Sequence, residues 1–246
     1  VYSMRFKKKF RTIPSVRSIR ELANFARSFS DTPHKSLNRH LEEFKIQNII
    51  DVGSNVGQFG LDMRRRGFNG LIVSYEPVEE TFRMLAQTIK ANRPWKIFQL
   101  GLGSIETKVE INISANDGLS SSILKMGTLH LENFPESATV RKEQISISTL
   151  DNELERLGLR PEEILLKLDV QGFETEVLKG ASNSLAKIPI CYIEVSLVPL
   201  YEGELSLLPI LNQLHEFGHQ VIDIFRGVKS KNGQLLQVDI LTRNSS

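Results

Sequence analysis

An apolar strand that runs straight into a glycine turn is what most limits the folds open to this chain. Asn48-Ile49-Ile50-Asp51-Val52 leads directly into Gly53-Ser54-Asn55-Val56-Gly57-Gln58-Phe59-Gly60. The apolar run predicts a buried strand, and the glycines open backbone conformations that a Cβ would close. A helix is expected next, with turn N–H groups able to approach a ligand. The pattern is D-x-G-x-N-x-G rather than the dinucleotide fingerprint G-x-G-x-x-G. Asn55 stands where that fingerprint needs its second glycine against a pyrophosphate.

Strand and helix patterns alternate after the turn. Gly57–Arg66 reads as a helix stopped by Gly67, and Leu71–Tyr75 as a second strand ending at Glu76-Pro77. Glu79–Asn92 places Phe82, Leu85, Ala86 and Ile89 on one helical face, and Trp95–Leu100 reads as a third strand. Such a rhythm predicts an α/β fold with a parallel sheet covered on both faces. From Gly101 to Leu150 the pattern changes. Val109–Ile113 and Gln144–Ser148 alternate apolar and polar as half-buried strands do, and they bracket a Ser- and Gly-rich stretch from Ser114 to Ser137. This region is expected to be an inserted hairpin with a mobile lid. Then Asp151–Leu157 reads as a short helix with Asp151 as its N-cap, Ile164–Val170 as a strand, Gly172–Ala186 as a helix and Ile190–Val195 as a strand. Leu205–Phe217 reads as a last helix, and Val221–Phe225 with Leu235–Leu241 as an antiparallel pair joined through Lys231-Asn232-Gly233.

The N-terminal 45 residues read as a basic helical extension, and residues 46–246 as one ligand-binding domain with its insertion at about 104–148. Met4 to Arg20 carries seven basic residues and no acid, a solvated tail or a dock for an anionic membrane surface. Ile19 to Phe29 is spaced as an amphipathic helix, and Pro33 reads as a break. The net charge of +2 is too small to argue for nucleic acid, and no run of about 18 apolar residues predicts a membrane span. Cys191 is the only cysteine, so no intrachain disulfide can form and a reducing, cytoplasmic setting is expected. Its apolar neighbours predict a packed core thiol.

The chemistry-bearing residues fall at predicted strand ends, where open α/β sheets bind ligands. Glu76 ends the second strand, where an acid accepts from a ribose diol. Asp51 is a buried carboxylate that needs a partner. An acid and an amide beside this turn suit a ligand with an α-amino group, a ribose and no phosphate, which S-adenosylmethionine is. Asp169 ends the fourth core strand, Glu174 opens a helix and Glu194 ends the fifth strand. Together they are expected to form an acidic floor beside the ligand, and Lys167 to need a carboxylate nearby. His130, in the lid, is a weaker candidate for a proton acceptor; His215 and His219 read as structural.

Two motifs carry a resemblance. Ile50-Asp51-Val52-Gly53-Ser54-Asn55-Val56-Gly57 with Glu76-Pro77 is the first; Leu166-Lys167-Leu168-Asp169-Val170-Gln171-Gly172-Phe173-Glu174, continuing through Val177-Leu178-Lys179-Gly180-Ala181, is the second. From about Ile46 to Leu200 the chain resembles the FkbM family of S-adenosylmethionine-dependent methyltransferases. Leu102-Gly103-Ser104 departs from it, since the family often has an acid after that glycine. The resemblance implies a class I methyltransferase fold, Rossmann-like, with a seven-stranded mostly parallel sheet. It implies an O-methyltransferase acting on a hydroxyl of a carbohydrate, glycolipid or natural-product acceptor. Asp51, Gly53, Ser54, Asn55, Gly57, Glu76, Pro77, Gly103 and Asp169 would then face the cofactor. Asp169, followed by Glu174 and Glu194, is the candidate base; no metal is assigned. The competing readings are a nicotinamide-dependent oxidoreductase on the same fold and a non-catalytic binding module.

Overall fold

The computed structural model describes residues 32–89, 93–116 and 118–244. The basic stretch from Met4 to Arg20 and the spacing of Ile19 to Phe29 lie outside them. Helix α1 (Thr32–Glu43) precedes β1 (Asn48–Val52), α2 (Gln58–Arg65), β2 (Leu71–Tyr75), α3 (Glu79–Thr88) and β3 (Trp95–Phe98). The insertion holds β4 (Gly101–Leu102), β5 (Thr107–Ser114), α4 (Thr128–Asn133) and β6 (Thr139–Ser148). Then come α5 (Leu150–Leu157), β7 (Ile164–Leu168), α6 (Glu174–Lys179), β8 (Ile190–Ser196), α7 (Leu207–Glu216), β9 (His219–Arg226) and β10 (Gln237–Asn244).

Seven strands form one sheet in the order β3-β2-β1-β7-β8-β10-β9. The pairs from β3 to β8 are parallel, and β10 is antiparallel to both its neighbours. This is the mostly parallel seven-stranded sheet expected of a class I methyltransferase. Strand order reverses at β1, with β2 on one side and β7 on the other, and a crevice opens at such a point. Period-2 alternation splits the core across the two faces. Ile50, Val52, Leu166, Leu168 and Ile193 pack on one side with Leu154, Val177 and Leu214. Ile49, Leu165, Ile190 and Tyr192 pack on the other with Leu37 and Met63. Cys191 is fully buried in the first group, as a core thiol should be.

The hairpin of the insertion is present as β5 and β6, and β4 adds to it in a separate three-stranded sheet. That pairing explains why β3 stops at Phe98 instead of Leu100: Gly101 and Leu102 leave the main sheet to pair with Ile147 and Ser148. Other expectations need correction. Pro33 lies in the first turn of α1 rather than breaking the chain, since a missing N–H there removes no helical bond. Helix α3 ends at Thr88, not Asn92. The N-cap of α5 is Thr149, whose hydroxyl accepts from the Asn152 N–H, while Asp151 accepts from the Asn183 N–H and Ser184 Oγ. The stretch read as one helix over Gly172–Ala186 is α6 followed by turns, and β7 ends at Leu168 rather than Val170. Gly180 closes α6 against the Gly103 carbonyl; a Cβ on Gly180 would lie 2.0 Å from that oxygen.

Candidate functional site

The β1–α2 turn owes its shape to three left-handed residues. Gly53, Asn55 and Gly57 have φ of 72°, 49° and 88°. Asparagine takes this conformation more readily than most residues with a Cβ, so Asn55 fits without glycine. Gly53 cannot vary in the same way, because a Cβ there would lie 1.8 Å from the Asp169 carbonyl oxygen. The turn therefore seats directly on the Asp169 backbone, which brings the two sequence motifs together.

The turn N–H groups are not free, contrary to expectation. Gly53 and Ser54 donate to the Tyr75 carbonyl, Gly57 to the Ser54 carbonyl, Val56 to Asn55 Oδ1 and Asn55 to Glu76 Oε2 at 2.9 Å. No N–H from Gly53 to Gly57 is left to grip a pyrophosphate as a dinucleotide turn does. Glu76 Oε1 also accepts from the Val78 N–H at 3.0 Å, so this acid braces the turn and the Pro77 corner at once. Burial pushes its carboxyl up to about 7, against the pull of those two N–H groups.

A polar seam crosses the sheet at its carboxyl edge. Trp95 Nε1 donates to Ser74 Oγ, and Ser74 Oγ lies 3.4 Å from Asp51 Oδ2. Parallel register sets Asp51 beside Lys167. Lys167 Nζ lies 3.1 Å from Asp51 Oδ1 and 3.6 Å from Asp169 Oδ2, and donates to the Gly53 carbonyl at 3.0 Å. Asp51 thus finds its partner in the protein. Burial raises its pKa and Lys167 opposes that. For Lys167, burial acts downward, but the carboxylates around it hold its pKa above the usual lysine value. Lys167 locks the glycine turn to the strand that leads into Asp169, a contact that was not visible in the motif.

The seam continues from Asp169 to β8 and β10. Gln171 Nε2 donates to Asp169 Oδ1 at 2.7 Å and to Glu194 Oε2 at 3.0 Å, and Gln237 Nε2 donates to Glu194 Oε2 at 2.9 Å. Burial, and then neighbouring Asp169, holds the Glu194 carboxyl well above the usual range. Asp169 keeps 35% of its side chain exposed, the open carboxylate of the group. Glu174 does not join that floor. It is buried, and it accepts from the Val170 and Gly172 N–H groups. Burial pushes it up to about 7. Gly103 lies under Phe173, with its N–H on the Ser148 carbonyl.

His130 on α4 is buried against Tyr201 and Phe134, and neither ring nitrogen has a hydrogen-bond partner among the described residues. Burial lowers its pKa. His219 is structural, its nitrogens near Thr242 Oγ1 and the Leu185 carbonyl. An open cavity of about 350 Å³ beside His215, His219 and Val221 borders none of the candidate residues.

Residues 51–226 match the methyltransferase FkbM domain. The 2-O-methyltransferase NoeI of Sinorhizobium fredii is 26% identical over 80% of this chain and 79% of its own length. The hexuronic acid methyltransferase AglP of Haloferax volcanii is 25% identical over 63% of this chain and 59% of its own, so this chain spans about three-fifths of that relative. Among solved structures, TehB from Haemophilus influenzae aligns over 90% of this chain and 66% of its own, at 9% identity and a TM-score of 0.46.

Proposed function

Because the chain belongs to the FkbM methyltransferase family, we propose that it methylates a hydroxyl of a carbohydrate acceptor. It is a methyltransferase, and S-adenosylmethionine is its methyl donor. The relation to NoeI, over about four-fifths of each chain, carries the choice of an oxygen acceptor. The relation to AglP, named for a hexuronic acid, supports a sugar. A sugar acid offers a carboxylate as well as hydroxyls. Asp169 is the open carboxylate on the acceptor side, and like charges repel, which favours a neutral hydroxyl there.

The donor supplies an electrophilic methyl group on a sulfonium. We assign the turn residues Gly53, Ser54, Asn55 and Gly57, with Asp51, Glu76, Pro77 and Gly103, to holding it. The fit rests on a turn whose amides are already satisfied and on a buried carboxylate at the end of β2. Transfer requires an aligned hydroxyl close to the methyl, so positioning contributes most of the rate. Asp169 is the side chain assigned to accept the hydroxyl proton, since it is the open carboxylate of the cluster. Glu174 braces the loop that carries Asp169.

Calorimetry with S-adenosylhomocysteine and transfer of labelled methyl to a panel of sugars and uronic acids test this. Saturable binding and a base-stable methyl ether are expected. Absence of binding at high micromolar ligand would overturn the donor site. A label released by mild base would be a methyl ester and would overturn the hydroxyl acceptor.

A further inference from the structure

Gln171 is the polar residue at this edge that neither the donor turn nor the proton step uses. It sits at φ 54°, in the left-handed region where a residue with a Cβ is strained, beside Gly172 at 95°. Strain of this kind persists only where surroundings hold it. Four polar contacts do so. Its amide nitrogen donates to Asp169 Oδ1 and Glu194 Oε2, its amide oxygen accepts from Tyr201 Oη at 2.7 Å, and its backbone carbonyl accepts from Ser122 Oγ at 2.7 Å.

The chemistry of the side chain matches this setting closely. Two carboxyl groups take two N–H hydrogens, and a tyrosine hydroxyl needs an acceptor; only an amide supplies both. A glutamate would add charge beside Asp169, Glu174, Glu194, Glu204 and Asp239, where Lys167 is the cation that acts on Glu194. A lysine would remove the nearer of the two acceptors of the Tyr201 hydroxyl, leaving the Ser120 carbonyl at 3.3 Å.

The other ends of these bonds lie in two loops. Ser122 belongs to the inserted segment, and Tyr201 to the loop after β8. Tyr201 also donates to the Ser120 carbonyl at 3.3 Å and bridges to Met126. Glu204 fixes that loop by accepting from the Leu200 and Tyr201 N–H groups.

We propose that Gln171 is a positioning residue that holds the Asp169–Glu194 pair in one arrangement and makes it depend on the inserted segment being docked. The proposal rests on the reading that Asp169 faces the methyl acceptor. Gln171 touches no reacting atom; it acts through Asp169 and through the two loops.

The test uses the full chain with S-adenosylhomocysteine bound, so it needs neither an acceptor nor turnover. Gln171→Met keeps the length of the side chain and removes its donors and acceptor. Carbon-13 NMR of the Glu194 carboxyl is expected to show its titration moved up by about one pH unit, the scale of one lost charge-assisted hydrogen bond. Amide exchange over residues 118–124 is expected to quicken at least tenfold, while S-adenosylhomocysteine affinity stays within twofold. An unmoved Glu194 titration, or unchanged exchange in the segment, overturns the proposal. If Gln171→Met does not fold, Tyr201→Phe serves: quicker exchange and a smaller upward shift at Glu194 support it, and neither change overturns it. Failure to find a sugar acceptor would leave these readouts untouched, so the two claims fail separately.

Discussion

Glu76 and Asp169 share an edge but differ in exposure, and that difference separates their tasks. Glu76 is 6% exposed with its oxygens on the Asn55 and Val78 N–H groups, so it shapes the turn; we propose that its remaining lone pairs accept from a ribose. Glu76→Ala is expected to weaken S-adenosylhomocysteine binding by about 1–3 kcal/mol, read by calorimetry. Unchanged affinity would remove it from the donor site. Asp169→Asn keeps the shape of the side chain and loses the proton acceptor. It should leave donor affinity within a few fold while lowering kcat by roughly 10²–10⁴, the usual contribution of a positioned base. Full activity would reject the role. Both acids were legible in the sequence, because each ends an apolar strand. The partners of Asp51 and the withdrawal of Glu174 into its own loop were not, since burial and register are set by other strands.

The strands were read nearly to the residue where the sheet is parallel and buried on both faces. Continuous apolar runs such as Leu71–Tyr75 have no other stable use in so short a span. Helix ends were read less well. Gly172–Ala186 has a helical spacing of apolar residues, yet α6 ends at Lys179 because Gly180 must meet the Gly103 carbonyl. That close approach predicts a cost: Gly180→Ala forces α6 away from the β4–β5 connection and should destabilise the protein by about 1–3 kcal/mol. Thermal melting measures it, and an unchanged Tm would show that the two elements separate freely.

At the scale of the molecule, burial of acids makes stability depend on pH. Burial pushes Glu76 and Glu174 up to about 7 and Asp239 to about 6. A carboxyl whose folded pKa lies above its unfolded value near 4 favours the fold while protonated. That contribution is complete below the unfolded value and is lost as pH rises through the folded one. Ligand-free protein should therefore melt at a higher temperature at pH 5 than at pH 8, and Glu174→Gln should reduce the difference. A higher Tm at pH 8 would contradict the upward shift of these acids in the folded protein. The Ser114–Ser137 stretch, expected to be an irregular mobile lid, contains α4 and docks through Ser122 and Met126. We propose that it opens by parting from the loop after β8, where the Gly127 N–H meets the Leu200 carbonyl and Leu124, Met126 and Phe134 pack with Leu200 and Tyr201. Its amides should exchange faster than those of β1 and β7 and slow when donor and acceptor bind; equal protection with the core strands would rule out gating.

The amino-acid sequence by itself determined the alternation of strand and helix, the glycine turn and the acids at strand ends. These are local properties: periodicity, the freedom of glycine and the position of a charge in an apolar run report on neighbours along the chain. The tertiary structure alone decided which charges meet. Asp51 and Lys167 lie 116 residues apart and become adjacent only through the β1–β7 register. Gln171 joins Asp169, Glu194, Tyr201 and Ser122 only because three loops converge at one sheet edge. Pairing of buried polar groups is a property of the packed chain, since each is satisfied by whatever the fold brings within about 3 Å.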